Sequence, residues 1–331
     1  MKRCFLKIVL CLSCLLLVLS VSAQKKISGR SNPIHFSFGS AKETTADSPQ
    51  SVQNHYFSGR DFVAIDSLPE AVPVTPYSVA VVIGVEQYDY IPTAPYASRD
   101  AQLMARYFKT LFGVEKVLIY THAEATGFFF DNLLDSEAGD LARLITKGKT
   151  DLYVYYSGHG VPSSGGDELY LLPSDVKHRL IEKQGYSLNE LFVQLSKYET
   201  RSTTLFIDAC FSGLGKFSYK ENPVNLIRTK GIDIKPIMNQ PWVDNPSFQV
   251  FMSSSYNQAS LVLDEVKAGL FTYFLAAGLQ GEADLNQDGN ITASEMDHYL
   301  QMQVTDWSKR IYEVQTPCFF GNPNRVLLKT K

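Results

Sequence analysis

Residues 152–160 have the sequence Leu-Tyr-Val-Tyr-Tyr-Ser-Gly-His-Gly, an apolar run that passes directly into a turn of small residues carrying one histidine. A short continuous apolar run is typical of a strand that is buried on both faces of a parallel sheet. In such sheets the functional side chains lie just beyond the carboxyl ends of the strands. The stretch therefore predicts a central strand and, in His159, a candidate catalytic residue.

Further apolar runs of strand length lie on both sides of this one, and amphipathic helical patterns separate several of them. Apolar side chains between Ala101 and Phe112 have the spacing of one helix face, and so do those from Leu188 to Leu195. Alternating strands and helices predict an α/β fold with a largely parallel sheet. The other predicted strands are residues 79–85, 117–120, 169–172, 204–207 and 250–252.

A second strand end carries a cysteine, in Ile-Asp-Ala-Cys-Phe-Ser-Gly at residues 207–213. A free thiol has a pKa near ~8.5, so a nucleophilic cysteine needs a neighbouring base, and an imidazole can also protonate the leaving amine. The backbone N–H groups of Gly160 and Cys210 are the candidate oxyanion donors. A lone His or Cys at a strand end is usually structural. Because both occur, each in a turn after an apolar strand, we interpret His159 and Cys210 as a catalytic pair.

The two motifs, Tyr-Ser-Gly-His-Gly and Asp-Ala-Cys-Phe-Ser-Gly, resemble the catalytic motifs of the caspase and metacaspase peptidases. The resemblance extends from about Tyr77 to the C-terminus and includes residues 81–85 with Tyr88 following, residues 98–101 and residues 250–255. It implies the caspase-haemoglobinase fold, a three-layer sandwich in which a mostly parallel six-stranded sheet lies between helices. It also implies cysteine endopeptidase activity through a Cys-His dyad.

The resemblance further implies a substrate-binding pocket formed by Asp100, Ser157 and Asp208. These positions match the pocket residues of metacaspases, which cleave after Arg or Lys, whereas caspases cleave after Asp. Carboxylates favour a basic side chain through charge-assisted hydrogen bonds. Two alternatives remain open at this point: the acids could cap nearby helices or turns, and Arg99 could support cleavage after Asp.

The N-terminus has the organisation of a secretory signal peptide. Lys2, Arg3 and Lys7 precede the apolar run at residues 8–21, and Val-Ser-Ala at residues 21–23 offers small residues for signal peptidase. The run is too short for a membrane span. We therefore expect a secreted or periplasmic protein with no membrane contact in its mature form.

The remaining boundaries follow from composition and from the resemblance. A polar, Pro- and Gly-containing leader precedes the catalytic domain, and a basic segment without periodicity follows Cys210 and is a candidate processing linker. An uncut surface loop is an equal alternative for that segment. The expected ranges are signal peptide 1–23, leader 24–75 with a local strand at 59–65, catalytic domain 76–281 containing linker 213–247, and C-terminal part 282–331.

Charge and cysteine content exclude some functions. Loss of the signal peptide removes three basic residues and no acidic one, which changes the net charge from −3 to about −6. A mildly acidic chain without a basic stripe gives no reason to expect nucleic-acid binding. Of the five cysteines, only Cys210 and Cys318 would remain, and they could form a disulfide in an oxidising compartment. We expect peptide or protein substrates and no organic cofactor.

Residues 284–295 match the EF-hand calcium-loop pattern. Gly289 would permit the sharp turn that such a loop needs. The alternative is a turn followed by a capping box, in which Thr292 and Glu295 begin a helix. The preceding helical pattern stops near Gly281, so the helix pair could be incomplete, and we expect a structural rather than a sensing site. The candidate Ca²⁺ ligands are Asp284, Asn286, Asp288, Asn290, Thr292 and Glu295.

Two further functions are compatible with the same residues. A catalytically silent caspase-like scaffold would bind peptides in the same groove, although it would have no need of His159 and Cys210. A transpeptidase would use the same dyad to transfer an acyl group to an amine.

Overall fold

The structure is a computed structural model that describes residues 62–223, 225–227, 234 and 245–330. The expected signal peptide and the larger part of the expected leader lie outside the described residues.

Thirteen strands are assigned within the described ranges. In chain order they are β1 (Thr75–Gly84), β2 (Val114–Thr121), β3 (Asp151–Pro162), β4 (Leu169–Leu171), β5 (Tyr186–Ser187), β6 (Ser202–Cys210), β7 (Lys216–Ser218), β8 (Phe248–Met252), β9 (Ser260–Leu263), β10 (Ala268–Gly269), β11 (Asn290–Thr292), β12 (Cys318–Gly321) and β13 (Val326–Lys329).

The helices of the described chain lie mainly between these strands. They are α1 (Ala97–Thr110), α2 (Gly127–Leu134), α3 (Ile181–Gln184), α4 (Leu188–Lys197), α5 (Leu270–Ala277) and α6 (Ala293–Ile311), with 3₁₀ turns at His122–Glu124, Ala142–Leu144 and His178–Leu180 and a π-helical turn at Gly278–Glu282.

The central sheet has the strand order β12-β8-β6-β3-β1-β2. Five of its strands are parallel, and β12 pairs antiparallel with β8. Strand β4 extends the sheet by pairing antiparallel with β3 and with β5, and two small separate sheets have the orders β10-β9-β7 and β11-β13. The predicted fold class is therefore confirmed: this is an α/β fold with a mostly parallel six-stranded sheet between helices.

Two apolar clusters cover the two faces of the sheet. Helices α1, α5 and α6 pack on one face with Tyr155 of β3, whereas α2 and α4 pack on the other with Val154 and Tyr156. This alternation is what a strand buried on both faces requires, since successive side chains point in opposite directions. The apolar run at residues 152–156 therefore lies in the middle of the core.

The register of β3 and β6 positions the candidate catalytic residues. His159 is paired with Cys210, and Ser157 is paired with Asp208 two residues earlier. Helix α1 approaches β1 closely at Gly84, where a Cβ atom would lie 2.4 Å from the carbonyl oxygen of Ala97. The parallel pairing thus brings both sequence motifs to one edge of the sheet, as expected for this fold class.

Residues 62–74, which composition assigned to the leader, contact the folded domain. Phe62 packs on Tyr273 and Trp307 with ring centroids 5.7 and 5.6 Å apart, and Ile65 is buried. The described part of the expected strand at 59–65 is coil and a turn rather than a strand. None of the helices in the described ranges combines the length and the hydropathy of a membrane-spanning segment.

Candidate active site

His159 lies at the end of β3 with its imidazole almost fully buried. Its Nε2 is 2.9 Å from the carbonyl oxygen of Pro92, and its Nδ1 is 3.0 Å from the backbone nitrogen of Lys216. A carbonyl only accepts and a backbone N–H only donates, so the ring carries its proton on Nε2 and accepts at Nδ1. Burial, reinforced by the charge of Lys216, lowers the pKa of His159 to about 4. The imidazole is therefore a neutral base at physiological pH.

Tyr88 fixes the position of this histidine. Its ring stacks on the imidazole with centroids 4.9 Å apart, and its hydroxyl accepts a 2.8 Å hydrogen bond from the His159 backbone N–H. Tyr156 donates a 2.8 Å hydrogen bond to the carbonyl of His159. A Cβ atom at Gly158 would lie 2.7 Å from the Tyr156 hydroxyl. Glycine is thus needed in this turn because two tyrosines occupy the adjacent space.

Cys210 is the last residue of β6 and is fully buried. Its sulfur lies 3.0 Å from the hydroxyl of Ser212 and 3.4 Å from the carbonyl oxygen of Gln258. Burial raises the pKa of the Cys210 thiol, which outweighs the hydrogen bonds that stabilise the thiolate. The resting pair in this conformation is therefore a thiol and a neutral imidazole. The backbone of Gly160 lies beside Cys210, where a Cβ atom would be 3.1 Å from the Cys210 carbonyl oxygen.

Asp100, Ser157 and Asp208 converge on a single atom, the Nζ of Lys216. This nitrogen donates 2.8 Å hydrogen bonds to the Asp100 carboxylate, the Asp208 carboxylate and the Ser157 hydroxyl. The side chains of both aspartates and of the lysine have no solvent exposure. The three predicted pocket residues thus enclose a lysine of the same chain.

The pocket carboxylates have additional partners. Ser260 and Thr272 each donate a 2.7 Å hydrogen bond to Asp208, and the backbone N–H of Gly269 donates to Asp100 at 3.1 Å. A Cβ atom at Gly269 would lie 2.1 Å from an Asp208 oxygen, so only glycine fits there. These contacts come from β9, from β10 and from the start of α5, which the sequence did not connect to the pocket.

Burial and mutual repulsion shape the charges of the pocket. Burial raises the pKa of Asp100 to about 6 despite Lys216, and the neighbouring Asp208 adds to the rise. Burial alone would lower the pKa of Lys216, but the two carboxylates outweigh it and raise that pKa. The ammonium is therefore charged, and it compensates two buried acids that would otherwise repel each other.

The lysine reaches the pocket from β7, inside the expected linker 213–247. Strand β7 runs parallel to β9, with Lys216 paired with Ser260. Gly213 and Gly215 before it have φ angles of 86° and 79°. Three further basic residues of this linker, Arg228, Lys230 and Lys235, lie outside the described residues.

Arg99 lies outside the pocket. Its guanidinium binds the Asp66 carboxylate and the carbonyl oxygen of Lys267. Arg99, the residue on which the alternative of cleavage after Asp depended, thus binds the segment that precedes β1.

The loop at residues 284–295 has its turn where the calcium pattern requires it. Gln287 and Gly289 have positive φ angles of 59° and 81°, and Asp284 accepts backbone hydrogen bonds from Asp288 and Gly289. Strand β11 pairs with β13. Helix α6 begins with the predicted capping box of Thr292 and Glu295.

The donor chemistry of this loop fits Ca²⁺, because its side chains supply hard oxygens. One oxygen of Glu295 binds Thr292, whereas Oε1 is buried and has no hydrogen-bond partner. In the described part of the chain, however, no three His, Cys, Asp or Glu side chains are close enough together to hold a metal ion. The carboxylates of Asp284, Asp288 and Glu295 are therefore near in sequence but do not converge in this conformation.

Cys318 is the only other cysteine within the described residues. It is partly buried, and both it and Cys210 are free thiols. Its sulfur lies 3.9 Å from the Ser254 carbonyl oxygen. Burial raises the pKa of Cys318 to about 12, so this thiol is poorly suited to act as a second nucleophile.

Comparison with known proteins places the chain in a family. A family model described as the caspase domain matches residues 78–326. Among solved structures, caspase-1 from Spodoptera frugiperda is similar with 15% identity and a TM-score of 0.48, over 82% of this chain and 97% of that one. No curated protein sequence matches significantly. Because the family match spans both strand-end motifs and most of the chain, the protein belongs to the caspase domain family of peptidases.

Proposed function

We propose that this protein is an exported cysteine endopeptidase that hydrolyses the peptide bond after Lys or Arg. Cys210 is the nucleophile, His159 is the base, and Asp100, Ser157 and Asp208 bind the basic side chain that precedes the cleaved bond (the P1 residue). The observation that carries the specificity is the buried Lys216 ammonium, which has a 2.8 Å hydrogen bond to each of the three pocket residues.

The protonation states support a general-base route. Neutral His159 can take the thiol proton at Nδ1 once that atom is free, while its Nε2–H stays bound to the Pro92 carbonyl. The thiolate then attacks the carbonyl carbon of the P1 residue, and we assign the stabilisation of the oxyanion to the N–H groups of Gly160 and Cys210. The imidazolium returns its proton to the leaving amine, and water hydrolyses the resulting thioester.

The pocket discriminates by charge. Without a cation, Asp100 and Asp208 would be two buried like charges, which is strongly unfavourable. A neutral P1 side chain of similar length would leave them uncompensated, and an acidic P1 side chain would add a third negative charge. Lys and Arg are therefore the side chains that the pocket can accept.

The test uses three fluorogenic peptides that differ only in P1, which is Lys, Arg or Asp. The basic peptides are expected to be cleaved, and Cys210→Ala should abolish cleavage. Asp208→Asn should reduce turnover of the basic peptides by about a hundredfold. Turnover of the Asp peptide alone would contradict the proposal. An added amine acceptor distinguishes hydrolysis from transpeptidation, since a transpeptidase would give the coupled product.

We also propose that residues 284–295 bind Ca²⁺ and stabilise the C-terminal part of the domain. The support is the donor set together with the buried, unpartnered Oε1 of Glu295, which would gain a partner if its carboxylate turned towards the ion. Thr330 connects the loop to the C-terminus through its 2.9 Å hydrogen bond to Asp284.

Export is the remaining part of the proposal, and it rests on the signal-peptide pattern at residues 1–23. N-terminal sequencing of protein recovered from outside the cytoplasm tests it. The expected first residue is Gln24, and recovery of a chain that still starts at Met1 would contradict export through this signal.

A further inference from the structure

The segment from Gly213 to Ser218, here called the blocking segment, contacts His159 through the backbone of Lys216. We propose that it is an intramolecular inhibitor: Lys216 fills the specificity pocket while the backbone around it runs in a direction that the dyad cannot cleave. This inference rests on the proposed basic specificity of the pocket. The inference goes beyond that specificity, because it assigns Lys216, which occupies the pocket, to inhibition and not to self-processing.

The blocking segment is held from both sides. Its strand pairs with β9, Ser218 donates a 2.5 Å hydrogen bond to Asp264, and the backbone N–H of Leu226 donates to the carbonyl of Gly213 at 2.8 Å. At its centre the Lys216 side chain is fully buried between two carboxylates. A substrate with a basic P1 residue must displace this lysine, since both ammonium groups need the same three acceptors.

The direction of the backbone follows from which atoms face the dyad. To cleave after Lys216, the carbonyl carbon of Lys216 must face the Cys210 sulfur, and the nitrogen of Phe217 must face the imidazole. Instead, the imidazole Nδ1 accepts the N–H of Lys216 itself at 3.0 Å, so the base faces the nitrogen of Lys216 and not that of Phe217.

The amide N–H of Lys216 therefore occupies the reactive face of the base. The base thus faces the nitrogen that precedes the Lys216–Phe217 bond, and Nδ1 is unable to accept the thiol proton while it binds Lys216. The residue that fills the pocket thus also occupies the base of the dyad.

Gly215 makes this close approach possible. A Cβ atom there would lie 2.8 Å from the His159 Nδ1 and 3.0 Å from Leu226, and its φ of 79° disfavours any L side chain. A methyl group at residue 215 should therefore lift the blocking segment from His159 while Lys216 remains in the chain. This offers a second way to open the site that removes no charge from the pocket.

Displacement by a substrate exchanges one ammonium for another, so inhibition should act on apparent affinity. The competent state is only a fraction of the population, and apparent affinity falls by that fraction. An occupied pocket therefore raises KM for basic peptides more than it lowers kcat.

The experiment compares the wild type with Lys216→Ala, Gly215→Ala and the matched control Lys220→Ala. Lys220 lies two residues after the blocking segment, is exposed to solvent, and forms an ion pair with Glu265. The first readout is the rate at which iodoacetamide alkylates Cys210, measured by peptide mass so that Cys318 is counted separately. The second is KM and kcat for a peptide with P1 Lys, with intact mass recorded throughout.

We expect both opening variants to alkylate at least about tenfold faster than the wild type and to show a lower KM, with chains uncut at residues 215–217. Lys220→Ala should behave as the wild type does. Gly215→Ala keeps the test decisive if the uncompensated acids of Lys216→Ala prevent folding.

Wild-type alkylation rates in the folded variants would overturn the proposal. So would cleavage of the wild type after Lys216 at a rate independent of protein concentration. The proposed function fails separately: faster alkylation without cleavage of any basic peptide would leave inhibition standing and remove the basic specificity. Cleavage of basic peptides at unchanged alkylation rates would do the reverse.

Discussion

The molecule contains two groups of carboxylates that the sequence marks as functional, and they are stabilised in opposite ways. In the pocket, Asp100 is fully buried, and burial raises its pKa to about 6 although Lys216 is bound to it. In the loop, Asp288 is exposed, and hydrogen bonds from Asn290 lower its pKa. Acids without solvent need a cation, whereas acids in solvent are satisfied by amides. This difference explains why the pocket is occupied in this conformation and why the loop carboxylates do not converge.

The largest expected difference between the two groups is in stability. Asp208→Asn leaves the buried Lys216 with one carboxylate and should lower the free energy of unfolding by about 3 kcal/mol. Asp288→Asn, at an exposed position, should change it by less than about 0.5 kcal/mol in the presence of chelator. Urea unfolding of both variants beside the wild type measures this. Equal losses would mean that the pocket charges are not coupled as described.

Calcium should affect only the loop. Extracellular calcium sites have dissociation constants of about 0.1 to 1 mM. Adding about 10 mM calcium to protein freed of metal by a chelator should therefore raise its free energy of unfolding by about 2 kcal/mol. Thermal unfolding should show this rise in the wild type and in Asp208→Asn. It should be lost in Glu295→Gln and should not be reproduced by magnesium. An equal rise in Glu295→Gln would exclude residues 284–295 as the binding site.

A smaller effect is expected in the pH dependence of stability. Asp100 has a folded pKa of about 6 against an ordinary 3.8, so the folded state holds an extra proton and this group lowers stability as pH rises from about 4 to 6. His159 has a folded pKa of about 4 against 6.5, so its contribution rises with pH over nearly the same window. The two contributions oppose each other.

Asp100→Asn removes the opposing contribution of Asp100 and leaves that of His159. The free energy of unfolding of this variant should therefore increase between pH 4 and 6 more steeply than that of the wild type. Asp288→Asn is the matched control and should follow the wild type there. Parallel profiles of Asp100→Asn and the wild type would contradict a raised pKa at Asp100.

The smallest expected effect concerns the choice between the two basic residues. Three acceptors converge on one nitrogen at 2.8 Å, an arrangement that suits a compact ammonium better than a planar guanidinium. We expect kcat/KM to be about tenfold higher for Lys than for Arg at P1. A preference for Arg would show that the pocket rearranges when the blocking segment leaves.

The sequence predicted the central sheet well, because continuous apolar runs at residues 79–85, 152–156 and 204–207 left no other placement. It also selected His159 with Cys210, and Ser157 with Asp208, and parallel register then places each pair side by side. Residues 62–65 were misjudged, since a coil that buries Ile65 has no periodic pattern.

Other features of the site were not visible in the sequence. The carbonyl of Pro92 orients the imidazole, and a backbone group gives no signal in residue type. Lys216 is one basic residue in a segment without periodicity, and its burial depends on a tertiary fold that brings β7 beside β9. Tyr88 was noted only as part of a family motif, although it stacks on His159.

In the function we propose, two buried carboxylates select a cationic side chain for hydrolysis at Cys210. The most direct measurement is the ratio of kcat/KM for two peptides that differ only in P1, lysine in one and norleucine, its uncharged analogue of similar shape, in the other. The Gly215→Ala protein is included so that the blocking segment does not mask turnover. We predict a ratio of at least about one hundred in favour of lysine; a ratio near one would contradict the account.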